Sequence, residues 1–142
     1  MSQMTDYLEN KLADLLFRTA GFSKPTQLNY RLFTAAPGEA GGGTEVSGGS
    51  YAAVNLAPSD SNYNGTHGNT AGASSGTSGL VDNAVAITFP APTANWGLIT
   101  HMAVNDESAN MLIHGALSVS KTVNNGDPAP SFPIGDADFT FA

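Results

Sequence analysis

Two histidines, His101 and His114, stand at similar distances on either side of a short polar run. On two strands joined by that run they would face each other with Cβ atoms about 5 Å apart. Two imidazoles with a third donor can hold zinc. The nearest carboxylates, Asp106 and Glu107, lie in the run itself, and one residue of register slip would part the rings. The pair therefore reads as structural. Asp136 and Asp138 would share one face of a strand, an arrangement that suits glycoside hydrolysis. In an acidic C-terminal segment they read instead as a solvated edge that discourages strand addition. Asp60-Ser61-Asn62-Tyr63-Asn64-Gly65 opens like a calcium loop, but the twelfth position, which needs a bidentate Glu, is Ala71. No Lys-Ser/Thr follows Gly41-Gly42-Gly43, so a phosphate loop fails. No Gly-x-Ser-x-Gly stands between a strand and a helix, so a serine nucleophile has no platform. Trp96, the single tryptophan, could stack on a sugar but reads as a core plug at the start of a strand. The residues assign no catalytic group, no cofactor and no metal ligand, and the chain is expected not to be an enzyme.

The elements that position these residues centre on Ala94 to Leu117. Leu98, Thr100, Met102 and Val104 alternate as on a half-buried strand, and Met111 to Leu117 has the composition of a covered one. Asn105 to Asn110 supplies a hairpin loop of about five residues. Further strands are expected at Leu28–Phe33, Tyr51–Leu56 and Leu80–Phe89, with short ones at Lys121–Val123, Ser131–Ile134 and Asp138–Phe141. Pro128, Pro130 and Pro133 put the segment around Ser131 at a sheet edge. Residues 57–79 are small and polar and read as a long surface excursion. Residues 1–20 predict a helix of about 15 residues, capped by Thr5, with Asp6 and Glu9 at its positive end and Gly21 as its stop. Leu8, Leu12, Leu15 and Leu16 form one apolar stripe on it. A helix this short is marginal alone, so the stripe must dock on the chain's own sheet or on a neighbouring subunit.

The chain of 142 residues reads as a single domain, with the helix at 1–20 and the rest at 27–142. The expected fold is mainly β, an antiparallel β-sandwich of jelly-roll type with one N-terminal amphipathic helix. There is no cysteine, so neither disulfides nor thiolate-held metals contribute. Five cations face 12 carboxylates, a formal charge of −7, which repels phosphate backbones and argues against nucleic-acid binding. No apolar run nears the ~20 residues needed to span a bilayer, and no basic stretch leads a hydrophobic one as in a secretion signal.

Met4-Thr5-Asp6-Tyr7-Leu8-Glu9-Asn10-Lys11-Leu12 resembles the opening of small virion proteins of tailed bacteriophages, often labelled tail-fibre-like. The likeness continues through Leu32-Phe33-Thr34-Ala35-Ala36-Pro37, Gly43-Thr44-Glu45-Val46-Ser47-Gly48-Gly49, Ile87-Thr88-Phe89-Pro90, Trp96-Gly97, Ile99-Thr100-His101 and Gly115-Ala116-Leu117. The chain departs from the pattern at 57–79 and at Asp127–Pro133. The resemblance implies a virion structural component and supplies no catalytic residues. The first expectation drawn from it is a capsid decoration or cement protein on the outside of the shell. Its partners would be the major capsid protein or other virion proteins and further copies of itself, with Leu8, Leu12, Leu15 and Leu16 as the partner interface. A tail fibre or baseplate component touching the host through residues 57–79 is the alternative. A small carbohydrate-active enzyme using Asp136 and Asp138 is the alternative from another class.

Overall fold

The alternation around Trp96 folds as the sequence leads one to expect, into a long antiparallel hairpin. The computed structural model describes residues 2–66 and 72–141. In chain order these form β1 (Ser2–Met4), α1 (Asp6–Phe17), β2 (Asn29–Ala35), β3 (Thr44–Glu45), β4 (Val54–Asn55), β5 (Tyr63–Asn64), β6 (Leu80–Asn83), β7 (Ile87–Thr88), β8 (Gly97–Asn105), β9 (Met111–Val123), β10 (Ser131–Phe132) and β11 (Phe139–Thr140). The hairpin β8–β9 is the middle of a six-stranded sheet ordered β1-β9-β8-β2-β3, with β4 also on β2. Two small sheets, β10-β7 and β11-β6-β5, complete the set, and every pairing is antiparallel.

The five-residue turn between β8 and β9 is closed by Asp106. Its Oδ1 accepts the backbone N–H of Ser108 at 2.9 Å and of Asn110 at 2.8 Å, and its Oδ2 accepts the Asn110 side-chain amide at 2.8 Å. This is the local bonding that makes aspartate a turn residue.

The inner face of the large sheet carries Tyr30, Leu32, Val104 and Ile113. They pack with Ile87 and Phe89 from the β7 segment and with Ala137 and Phe139 from the β11 segment. Trp96 is 5% exposed, meets the Tyr51 ring edge-on at 5.3 Å and donates its indole N–H to the Gly49 carbonyl at 2.9 Å. It is a core plug, as its place in the sequence suggests.

Several expectations are corrected. The segment 80–89 is two strands in different sheets, because Asn83 turns the chain inward between them. Tyr51–Leu56 shrinks to a two-residue strand, since Tyr51 turns its ring onto Trp96 and Phe89. The apolar face of β8 changes phase: Leu98 is 50% exposed and Ile99 only 2%. The ladder pairs Ile99 with Lys121 but His101 with Ala116, so Thr100 alone faces the bulged residues 117–120 of β9. A bulge shifts the in–out alternation, which a regular period cannot anticipate.

Residues 57–79 are not a free excursion either. Tyr63 lies in β5, and its hydroxyl donates to the Leu56 carbonyl and accepts from the buried Tyr30 hydroxyl, both at 3.1 Å. Burial pushes the Tyr63 phenol up to about 12, so this pair is neutral at any ordinary pH. Residues 67–71, within the same run, lie outside the described residues.

Asn83 is fully buried. Its side-chain amide donates to the carbonyls of Val85 and Pro133, both at 2.8 Å, and its carbonyl accepts the N–H of Ala137 at 2.9 Å. Asn83→Ala strips partners from three backbone groups, of which the Ala137 N–H is buried and the Val85 and Pro133 carbonyls are partly so, and a buried group left unpaired costs about 1–3 kcal/mol. Partial rehydration at the shortened side chain makes the expected loss about 2–4 kcal/mol. Urea unfolding followed by Trp96 fluorescence checks it, with a lowered midpoint and an unchanged slope.

Candidate functional site

The predicted helix is present, and Thr5 caps it. The Leu8 N–H donates to Thr5 Oγ1 at 3.4 Å, while the Thr5 hydroxyl donates to the Met111 carbonyl at 2.5 Å. The Thr5 N–H bonds the Leu112 carbonyl and the Asp6 N–H the Glu39 carbonyl, both at 3.0 Å. The strand before it, β1, pairs Ser2–Met4 with Ile113–Gly115 of β9. Three residues with one apolar side chain carry too little pattern for that strand to be read from sequence. The helix ends at Phe17, short of Gly21, where Arg18 leaves in extended conformation.

The leucine stripe is divided. Leu8 is buried against the chain's own sheet and Leu12 is half-buried. Leu15 is 49% exposed, Leu16 70% and the following Phe17 85%. Sequence reasoning named the leucines and passed over Phe17. The signal was present: three consecutive apolar residues fan over about 200° of a helix, more than one docked face can cover. Beside this tip, Arg18 forms an ion pair with Asp14 at 3.2 Å.

A second apolar surface is the groove beside the β9 bulge. It has a volume of about 680 Å³ and is lined by Phe89, Ile99, Met102, Leu117, Val119 and Phe132, among others. Val119, at the bulge, is 78% exposed. Asp136 and Asp138 line the same groove and are exposed. They sit in a turn and just before β11 rather than side by side in a strand, which corrects the expected shared strand face.

His101 and His114 do share a face of the large sheet, on the side away from the core, but not the same rung. His114 pairs with Ala103, and His101 with Ala116. They are diagonal neighbours, with Cβ atoms about 7–8 Å apart. Asp106, spent on its turn, offers them no ligand, and among the described residues no three His, Cys, Asp or Glu side chains group as a metal site. Asp60 is exposed, and the twelfth position of its calcium-like loop lies outside the described residues. All three glycines at 41–43 take positive φ; a Cβ on Gly43 would meet the Pro37 nitrogen at 2.7 Å, so this run shapes a tight loop.

A family model described as podophage GP4 fiber I protein gp80 matches residues 3–140. The match covers nearly the whole chain, and the chain belongs to this family, whose members are structural proteins of the virion. No curated protein matches it. Among the described residues no helix is long and apolar enough to cross a membrane.

His114 gives this surface a pH dependence. It is 5% exposed, and its Nε2 has no partner among the described residues. Burial lowers its pKa below the ordinary 6.5; Glu39 opposes the shift and His101 adds to it. Protonation then favours the unfolded chain, so the stability held by neutral His114 is complete above pH 6.5 and falls as the pH drops toward the folded-state value. Thermal melts taken from pH 7.5 down to about 5 should show a falling midpoint in the parent chain and a flatter profile in His114→Gln.

Proposed function

We propose that this chain is a tail-fibre component of a podophage virion, working by adhesion and without chemistry. The observation that carries the reading is the family match to a fibre protein over residues 3–140. Two features of the molecule support it. The α1 tip and the groove beside β9 leave apolar side chains exposed on its surface. Its carboxylate pair, Asp136 and Asp138, is exposed to solvent.

The capsid-decoration reading drawn from the sequence is the runner-up. The half-docked helix would serve it equally well as a peg between shell subunits. The fibre assignment takes precedence because the family description names a fibre protein.

Within this reading the α1 tip is the face by which copies of the chain join in the fibre, and the exposed small residues 72–78 are the outward surface. Attachment through Leu16 and Phe17 would bury two large side chains, each worth about 1.5–3 kcal/mol before ordering costs.

Gold-labelled antibody against the chain should decorate the fibres of intact particles; label spread over the capsid would establish decoration instead. Ser75→Arg with Thr77→Arg puts two bulky cations on the exposed loop, leaves Tyr63 and the core in place, and should lower adsorption to host cells without changing particle stability. Leu16→Asp with Phe17→Asp should instead yield particles lacking the protein, with incorporation down by ~100-fold or more, as loss of about 3–6 kcal/mol before ordering costs requires.

A further inference from the structure

We propose that the apolar tip of α1 in one copy of this chain seats in the groove beside β9 of a second copy, head to tail, with Arg18 and Lys24 of the first set against Asp136 and Asp138 of the second. The plug is the run Leu15, Leu16 and Phe17, which is 49%, 70% and 85% exposed. A contiguous patch of this kind at a helix end marks a contact surface rather than ordinary scatter of apolar residues. The socket is a groove of about 680 Å³ with buried Phe89, Ile99 and Val123 at its base and exposed Val119 on its lip. That volume accepts several side chains of leucine or phenylalanine size, which is the scale of ordinary ligand clefts. No residue of α1 lines this groove, so a chain does not close it with its own helix.

Charge selects the occupant. The first 24 residues hold three cations and three carboxylates; the rest of the chain holds nine carboxylates and only two cations. Two copies therefore repel over most of their surfaces, and the N-terminal segment is the part that approaches an acidic neighbour without net repulsion. Its charges are also ordered. Asp6 and Glu9 lie in the first turn of α1, whereas Arg18 follows the last turn and Lys24 comes after it. The groove is ordered too, with Asp136 and Asp138 on one segment and Lys121 on β9. An incoming tip is thus oriented with Arg18 toward the aspartates and its apolar run toward Leu117 and Val119. Plug and socket are different patches, so the contact is heterologous and joins copies into a ring, or into an open filament where the rotation does not close.

The inference goes beyond the fibre assignment, because it is tested on the purified chain in solution and fails or holds whatever the antibody labels on the virion. Sedimentation equilibrium of the parent chain should give a multiple of 14.5 kDa. Phe17→Asp and Val119→Asp, both at exposed positions that folding leaves free, should each reduce the mass to 14.5 kDa. Mixing the two should restore association, since each retains the half that the other lacks. Reversing Asp136→Arg with Asp138→Arg should also dissociate the assembly, and adding Arg18→Asp with Lys24→Asp should rebuild it.

A parent chain that stays at 14.5 kDa overturns the proposal. So does an assembly that survives either single substitution, because the helix tip then has another seat or another virion protein is its partner. Failure of the mixture or of the charge exchange to reassociate overturns it as well.

Discussion

The buried amide of Asn83 is the fixed point to which the layer over the large sheet is tied. That layer consists of strands of two to four residues, β5, β6, β7, β10 and β11. Ladders so short are not stable by themselves in water. With no cysteine in the chain, nothing covalent closes the layer either. Asn83 stands at the end of β6 and bonds three backbone groups: Val85 at the start of the next segment, and Pro133 and Ala137 on either side of the turn that leads to β11. One side chain thereby fixes how the first small sheet sits against the second. Phe89, Ala137 and Phe139 can then meet Tyr30 and Leu32 of the large sheet in one core. The Tyr30–Tyr63 hydroxyl pair does the same for β5 at the other end. Few charges were needed for this arrangement. Among the described residues the ion pairs are Arg18–Asp14 at the surface and Arg31–Glu45 at the sheet edge.

The β9 bulge has the opposite effect, since it opens the structure where Asn83 closes it. Four residues of β9, Leu117 to Ser120, face Thr100 alone, so the strand bows away from its partner. Two consequences follow from that one irregularity. The inward face of β8 jumps from Met102 to Ile99, which keeps an apolar residue over the core on both sides of the bulge. The bowed strand also stands clear of the 130–138 segment, and the gap between them is the groove. The proposed head-to-tail contact would form on that groove. Bulges re-aim side chains at functional places in many sheets, and here the re-aimed residue is Val119.

Much of this was legible in the sequence, and the failures have definite causes. The hairpin was readable because both strands are long and their turn is rich in residues that bond their own backbone. The helix start was readable because Thr5, Asp6 and Glu9 are specific to a helix N-terminus. The antiparallel, mainly β character followed from many short apolar runs between Gly and Pro. The two-residue strands escaped because two residues define no period; Val85, Ile87 and Phe89 read as one alternating strand with Leu80 and Val81 although Asn83 separates them. The diagonal offset of His101 and His114 escaped because register is a tertiary property, set here by the turn and the bulge together. The extent of the α1 stripe was visible, but its division into a docked and an open half depended on where the sheet ends.

That division bears on how a small acidic protein holds to its surroundings. Leu8 and the bonds of Thr5 and Asp6 anchor the first turn of α1, and that much suffices to keep a 12-residue helix in place. Leu16 and Phe17 add little to that anchoring, because they lie mostly in water, and Leu15 is half exposed beside them. Polar side chains there would leave the chain's own core untouched and would spare it an aggregation-prone patch. Exposed leucine and phenylalanine at the end of a well-fixed helix are therefore costs without an internal return, and the proposed contact between copies would offset them. The helix is rigid where it meets its own sheet and bare where it leaves it. An element held in that way presents a preorganised apolar end, so little ordering entropy remains to be lost when the end is covered.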